Sequence, residues 1–141
     1  MQVARAALLS LCLTVSTVSA ADRPFTVALT GWGRACAGGL FVRTKTIEWN
    51  TTFVTCKPSP YELLESSMQG GSKVVVLRIL KPSKGCIYNI IKVRQSPPEG
   101  TWDVTGFQSL DAYRNHDQPE WFYTTLPERN WLSCPMEESR N

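Results

Sequence analysis

The chain has 141 residues, 43% of them hydrophobic, and 15 Lys and Arg against 12 Asp and Glu give a net charge of +3. That length allows one domain of ordinary size. No internal repeat or low-complexity segment is present, and no stretch after the first twenty residues is long and apolar enough to span a bilayer.

The N-terminus reads as a secretory signal peptide over residues 1–20. Arg5 supplies a positive start, Ala6 to Val15 is an apolar run, and Val18-Ser19-Ala20 offers small residues at a cleavage site. The expected mature domain is 21–141, secreted and extracellular, folding where disulfides persist. The polar tail from Met136 to Asn141 excludes a GPI signal and carries no ER-retention tetrapeptide.

Phe25, Val27 and Leu29 alternate with Thr26, Ala28 and Thr30, as in a strand. Gly31-Trp32-Gly33 ends it, and Gly38-Gly39 marks another turn. From Leu40 the chain is rich in Val, Ile, Thr, Phe and Trp, with Arg43, Lys45, Ile47 and Trp49 expected on one face. Asn50-Thr51-Thr52 reads as a turn, and Phe53 to Cys56 as a returning strand. The same three residues form an N-glycosylation sequon at Asn50, usable where exposed.

Ser59-Pro60-Tyr61-Glu62 has the form of a capping box with proline at the first helical position, and Gly70-Gly71 follows as a stop. This predicts one short helix, with Tyr61, Leu64 and Met68 on one face. The β-branched run from Lys73 to Leu80 predicts a central strand covered on both faces. Lys81 to Gly85 is a loop, and Cys86 to Arg94 the second strand of a core hairpin. After the turn Ser96 to Gly100 come a strand through Trp102, Val104 and Phe107, a polar loop over Asp111 to Glu120, and a last strand over Glu120 to Leu126. The expected fold is β-rich α+β: a small, disulfide-stapled antiparallel sheet or sandwich with one short helix.

Four cysteines remain after signal cleavage: Cys36, Cys56, Cys86 and Cys134. An even number in a small secreted domain predicts two bridges, with three possible connectivities. The preferred pairing is Cys56–Cys86, tying the segment before the expected helix to the hairpin, with Cys36–Cys134 tying both ends of the domain. No metal site is expected, because Cys-x-x-Cys is absent and His116 is the only histidine. No cofactor is implied.

Catalytic signatures are lacking: Gly-x-Ser-x-Gly, His-Glu-x-x-His and phosphate loops are all absent. His116, in a polar loop beside Asp117, reads as solvated. Ten basic residues against three acids lie between Arg34 and Arg94, and eight acids against three basic residues follow from Gln95 onward. The two halves either neutralise each other or leave a basic edge through Lys81, Lys84, Lys92 and Arg94. Trp32, flanked by glycines, and Trp131, beside Arg129, are the candidate binding anchors. Lys81 and Lys84 in the hairpin loop are the alternative.

The layout of signal peptide, short mature chain, two bridges and β-rich body resembles the small secreted effectors of plant-associated fungi. That resemblance implies a non-enzymatic protein that binds a host protein and modulates defence, acting outside the host cell or translocated into it. A second, local resemblance is carried by Ser59-Pro60-Tyr61-Glu62, Gly70-Gly71-Ser72, Lys73-Val74-Val75-Val76 and Ile90-Ile91-Lys92. This run is similar to the centre of T1-type guanyl-specific ribonucleases. It implies Glu62 at the catalytic glutamate, Lys73 at the catalytic arginine and Lys92 at the catalytic histidine. Lysine is protonated near neutral pH and replaces an acid–base histidine poorly, so RNA would be bound rather than cut. A lipocalin-like ligand carrier ranks last, since the mature chain is short for it and Gly31-Trp32 lacks that family's spacing.

Overall fold

The computed structural model describes residues 24–119 and 131–140. Among these it contains eight strands and one helix. In chain order they are β1 (Val27–Gly31), β2 (Gly38–Val42), β3 (Thr46–Asn50), β4 (Thr55–Gln69), β5 (Ser72–Ile79), β6 (Ile90–Ser96), β7 (Thr101–Phe107), α1 (Leu110–Asn115) and β8 (Trp131–Glu138). Each strand pairs antiparallel with the next, and β8 returns to β1, closing the sheet into a barrel. The fold is therefore strand-rich, antiparallel and disulfide-stapled, as expected, and its sheet closes into a barrel, which the sheet-or-sandwich expectation left unspecified. Closure leaves no edge along β1 or β8 for another chain to extend.

The period-2 pattern explains the interior. Leu29, Leu40, Val42, Ile47, Trp49, Val75, Leu77, Ile91, Val93, Val104, Cys134 and Met136 alternate with outward residues and are almost wholly buried. The barrel is filled rather than hollow. Trp49 and Tyr88 meet inside it with ring centroids 5.8 Å apart. Gly106 on β7 makes room for both, because a Cβ there would collide with the Trp49 indole and the Tyr88 ring. Outside the barrel, Val74, Val76, Ile90 and Phe107 pack under Ala112 of α1. That is why β5 is buried on both faces.

The helix lies elsewhere than expected. Ser59 to Gln69 belongs to the 15-residue strand β4, and the helix is Leu110–Asn115, within the segment read as a loop. A capping box contributes only about 1 kcal/mol to a helix. Pairing along β5, from Tyr61↔Ile79 to Gln69↔Ser72, outweighs it. Gly70 and Gly71 form the two-residue turn of that hairpin, with φ of 57° and 80°. Positive φ at both central residues is what a type I′ hairpin turn requires. Ser59 is buried, and its hydroxyl donates to the Lys81 carbonyl at 2.8 Å instead of capping a helix.

Smaller corrections follow from turns. The run from Leu40 breaks at Arg43-Thr44-Lys45, where the Arg43 N–H donates to the Thr46 carbonyl. Ile47 and Trp49 face inward, whereas Arg43 and Lys45 stand in the turn. Residues Cys86 to Asn89 are loop, and the ladder of β6 begins at Ile90. The strand expected over Glu120 to Leu126 lies outside the described residues. The final strand is β8.

Candidate functional site

The up-and-down order sorts the connections to two ends of the barrel. One end carries residues 32–37, 51–54 and 80–89, the connection that leaves β7 through α1, and the start of β8. The other carries the turns 43–45, 70–71 and 97–100. The first is termed the loop end and the second the hairpin end.

Both bridges serve the loop end. Cys36 in the first loop is joined to Cys134 of β8, and Cys56 of β4 to Cys86 in the third loop. Two disulfides are compatible with an oxidising, extracellular setting. The third loop is fastened further. Its Gly85 carbonyl accepts from the Thr55 N–H, the Ser83 hydroxyl accepts from the Lys57 N–H at 3.1 Å, and the Leu80 N–H donates to the Pro60 carbonyl. These bonds occupy the edge of β4 opposite β3.

The loops thus hold exposed apolar side chains in fixed positions. Trp32 is 51% exposed in the first loop, and Trp131 is 43% exposed at the start of β8. Phe53, Leu80 and Ile87 are exposed on the other loops. Trp131 is anchored by stacking on Phe107, with centroids 6.4 Å apart and planes 10° apart. Phe107 also touches Tyr113 and His116, so an aromatic group supports this wall. Sequence reading singled out the two tryptophans but not Phe53, Leu80 or Ile87. All three fall in stretches whose composition predicts strands, but the structure leaves Phe53 in the 51–54 loop and Leu80 and Ile87 in the 80–89 loop, so no strand signal could mark them as exposed.

Lys81 and Lys84 are exposed in the same loop, with Lys57 alongside on β4. Among the described residues none of the three joins an ion pair. Lys92 and Arg94 do not adjoin them at this end. They lie on the outward side of β6, Arg94 directly across from Asp103 and Lys92 across from Thr105. Glu65 is also close enough to Lys92 for that charge to help lower its carboxyl pKa. The flank is therefore of mixed charge, while the loops 32–37, 51–54 and 80–89 are basic and apolar.

His116 caps the C-terminus of α1 rather than standing free in solvent. Its ring stacks on Tyr113, Nδ1 meets the Tyr113 carbonyl, and Nε2 lies 3.0 Å from Asp117. The residues implied by the ribonuclease resemblance do not converge. Glu62 is ion-paired with Arg78 at 2.8 Å on the outer face. Lys73 projects to the inner side, with its ammonium 5.4 Å from the Phe25 ring centroid. Lys92 stands on the outer face of another strand. Asn50 is the last residue of β3. It is half-buried, and its amide donates to Glu48 at 2.9 Å.

Another cluster ties α1 to the hairpin end. The Tyr113 hydroxyl donates to Glu65 at 2.6 Å, and Ser67 and Gln69 donate to the other carboxylate oxygen. The Tyr113 bond is the main reason the Glu65 carboxyl titrates below its ordinary range. Burial, and then the Glu65 bond and charge, push the Tyr113 hydroxyl well above its ordinary value.

Among the described residues no helix is long and apolar enough to cross a membrane, and no group of His, Cys, Asp and Glu is arranged to hold a metal ion. Comparison with protein-family models, with curated proteins and with solved structures finds no match.

Proposed function

We propose that this is a secreted, non-enzymatic, effector-like protein whose loop end docks onto a protein of another, host organism. The observation that carries the reading is one arrangement. Trp32, Phe53, Ile87 and Trp131 are exposed together at one end of a filled barrel, on segments that two disulfides and a stacked Phe107 hold in place. Exposed aromatic side chains on a rigid support are effective anchors, since little conformational freedom is lost on binding. The lysines at the rim add attraction to an acidic partner and speed its approach.

The test compares two variants for retention on immobilised host extracellular protein. Trp32→Ala with Trp131→Ala is expected to abolish retention. Lys81→Glu with Lys84→Glu is expected to weaken it by less than about tenfold, as rim charges do. If only the charge reversal loses binding, and wild-type retention collapses between low and physiological salt, the partner is a polyanion and the aromatic anchors are not the contact. Cleavage of single-stranded RNA at guanine that is lost in Glu62→Gln overturns the non-enzymatic reading.

A further inference from the structure

At the hairpin end the ladder among the described residues is incomplete. Strand β4 pairs with β3 only from Thr55 to Pro60, yet it continues along β5 to Gln69. Among the described residues nothing hydrogen-bonds to the backbone of Glu62 to Gln69 on the side away from β5. The flanking pair of a two-residue turn exchanges hydrogen bonds, so Gln69 and Ser67 point their backbone groups at β5. Ser66 and Met68 therefore point theirs outward.

This edge is also apolar. Leu63 is 55% exposed and Met68 66%, with Leu64 between them in sequence. Lysine and proline, which blunt exposed edges, are absent from Glu62 to Gln69. Its two carboxylates are engaged within the chain, Glu62 by Arg78 and Glu65 by Tyr113. The one irregularity is a register shift between Leu63 and Glu65.

We infer that this edge pairs with the same edge of a second copy of this chain, antiparallel, about a two-fold axis through Ser66. Two identical antiparallel strands related by such an axis must place one residue opposite itself. With Ser66 on the axis, Glu65 falls opposite Ser67, and Leu64 opposite Met68 on both sides. No like charges meet, and the outward groups of Ser66 and Met68 find partners. An axis through Glu65 would set two carboxylates face to face, which is unfavourable. The pairing joins the hairpin ends and leaves both loop ends pointing away.

The mature, disulfide-bonded chain is tested by light scattering and by cross-linking. Wild type at about 100 μM should have twice the monomer mass and fall to monomer on dilution. Leu64→Lys with Met68→Lys should weaken association at least tenfold, roughly what two lost apolar pairs and the added like charges imply, with an unchanged circular dichroism spectrum. Ser66→Cys should form a reducible covalent dimer, because opposed residues lie about 5.5 Å apart, whereas Gln69→Cys should not. A wild type that stays monomeric at that concentration overturns the inference. So does a dimer unaffected by the double lysine variant, or equal cross-linking at both cysteine positions.

Discussion

The two ends of the barrel are built by opposite means. At the loop end, long irregular connections are held by covalent bridges, by hydrogen bonds to β4 and by stacked aromatic rings. At the hairpin end, short turns are held by local backbone geometry and by one Tyr–Glu contact. Side chains exposed at the first end are fixed points, whereas the second end, among the described residues, leaves backbone unpaired. The difference suggests what each end is suited to recognise: shape and aromatic surface at one, an extended strand at the other.

The largest test removes a bridge. Cys36→Ala with Cys134→Ala opens a closure of 98 residues, and Cys56→Ala with Cys86→Ala opens one of 30. On loop-closure entropy the first should cost about 4–5 kcal/mol and the second about 3–4 kcal/mol in urea unfolding. A reversed order would show that local fastening, not loop length, governs the loop end.

Next comes the interior beneath the loop end. Gly106→Ala forces a methyl group against Trp49 and Tyr88. It should destabilise the protein by about 1–3 kcal/mol in thermal unfolding. A neutral outcome would mean that the two rings can shift aside.

A smaller effect is expected at the hairpin end. Tyr113→Phe removes the donor to Glu65 and should cost about 1 kcal/mol, the low end for a bond to a charged group because both side chains are partly exposed. The sign with pH follows from the two shifts. The Glu65 contribution is present above the ordinary carboxyl range and is lost as pH falls through its lowered folded-state value. The Tyr113 contribution is present below the ordinary phenol value and is lost as pH rises through its raised one. The gap between wild type and variant should be flat near neutrality and close in acid. A gap that persists in acid would assign the effect to packing.

The smallest effect concerns the rim. Lys81→Glu with Lys84→Glu should change stability by less than about 0.5 kcal/mol, since neither side chain is ion-paired among the described residues. A larger loss would mean that these lysines help to hold their loop.

What the sequence made legible divides along the same line. Where burial and pattern agree, as in the alternation of Val27 to Thr30 and Trp102 to Phe107 and the unbroken β-branched run Val74 to Leu77, strands stand where the sequence put them. The failure at Ser59 to Gln69 has a physical reason. This half of β4 is mostly exposed, so no strand alternation marked it, and the capping signal together with the helical spacing of Tyr61, Leu64 and Met68 read as a helix. Gly70-Gly71 suits a helix stop and a hairpin turn equally well as letters. Only pairing with β5 decides between them. Barrel closure was not legible, because nothing local in β1 or β8 says which strand lies beside it. Trp32 and Trp131 could be named as exposed from their flanks. That the loops around them share one end depends on the up-and-down order.

The closing strand also imposes a schedule on folding. Strand β1 lacks its second neighbour until β8 has been made, and Cys36 lacks its partner until Cys134 has been made. During synthesis the earlier strands can form their local hairpins, but the sheet stays open and Cys36 stays a thiol. A chain that stops short of residue 134 would present both a raw β1 edge and a reactive cysteine. It should aggregate or form mixed disulfides, so the last strand acts as a completeness check on the whole domain.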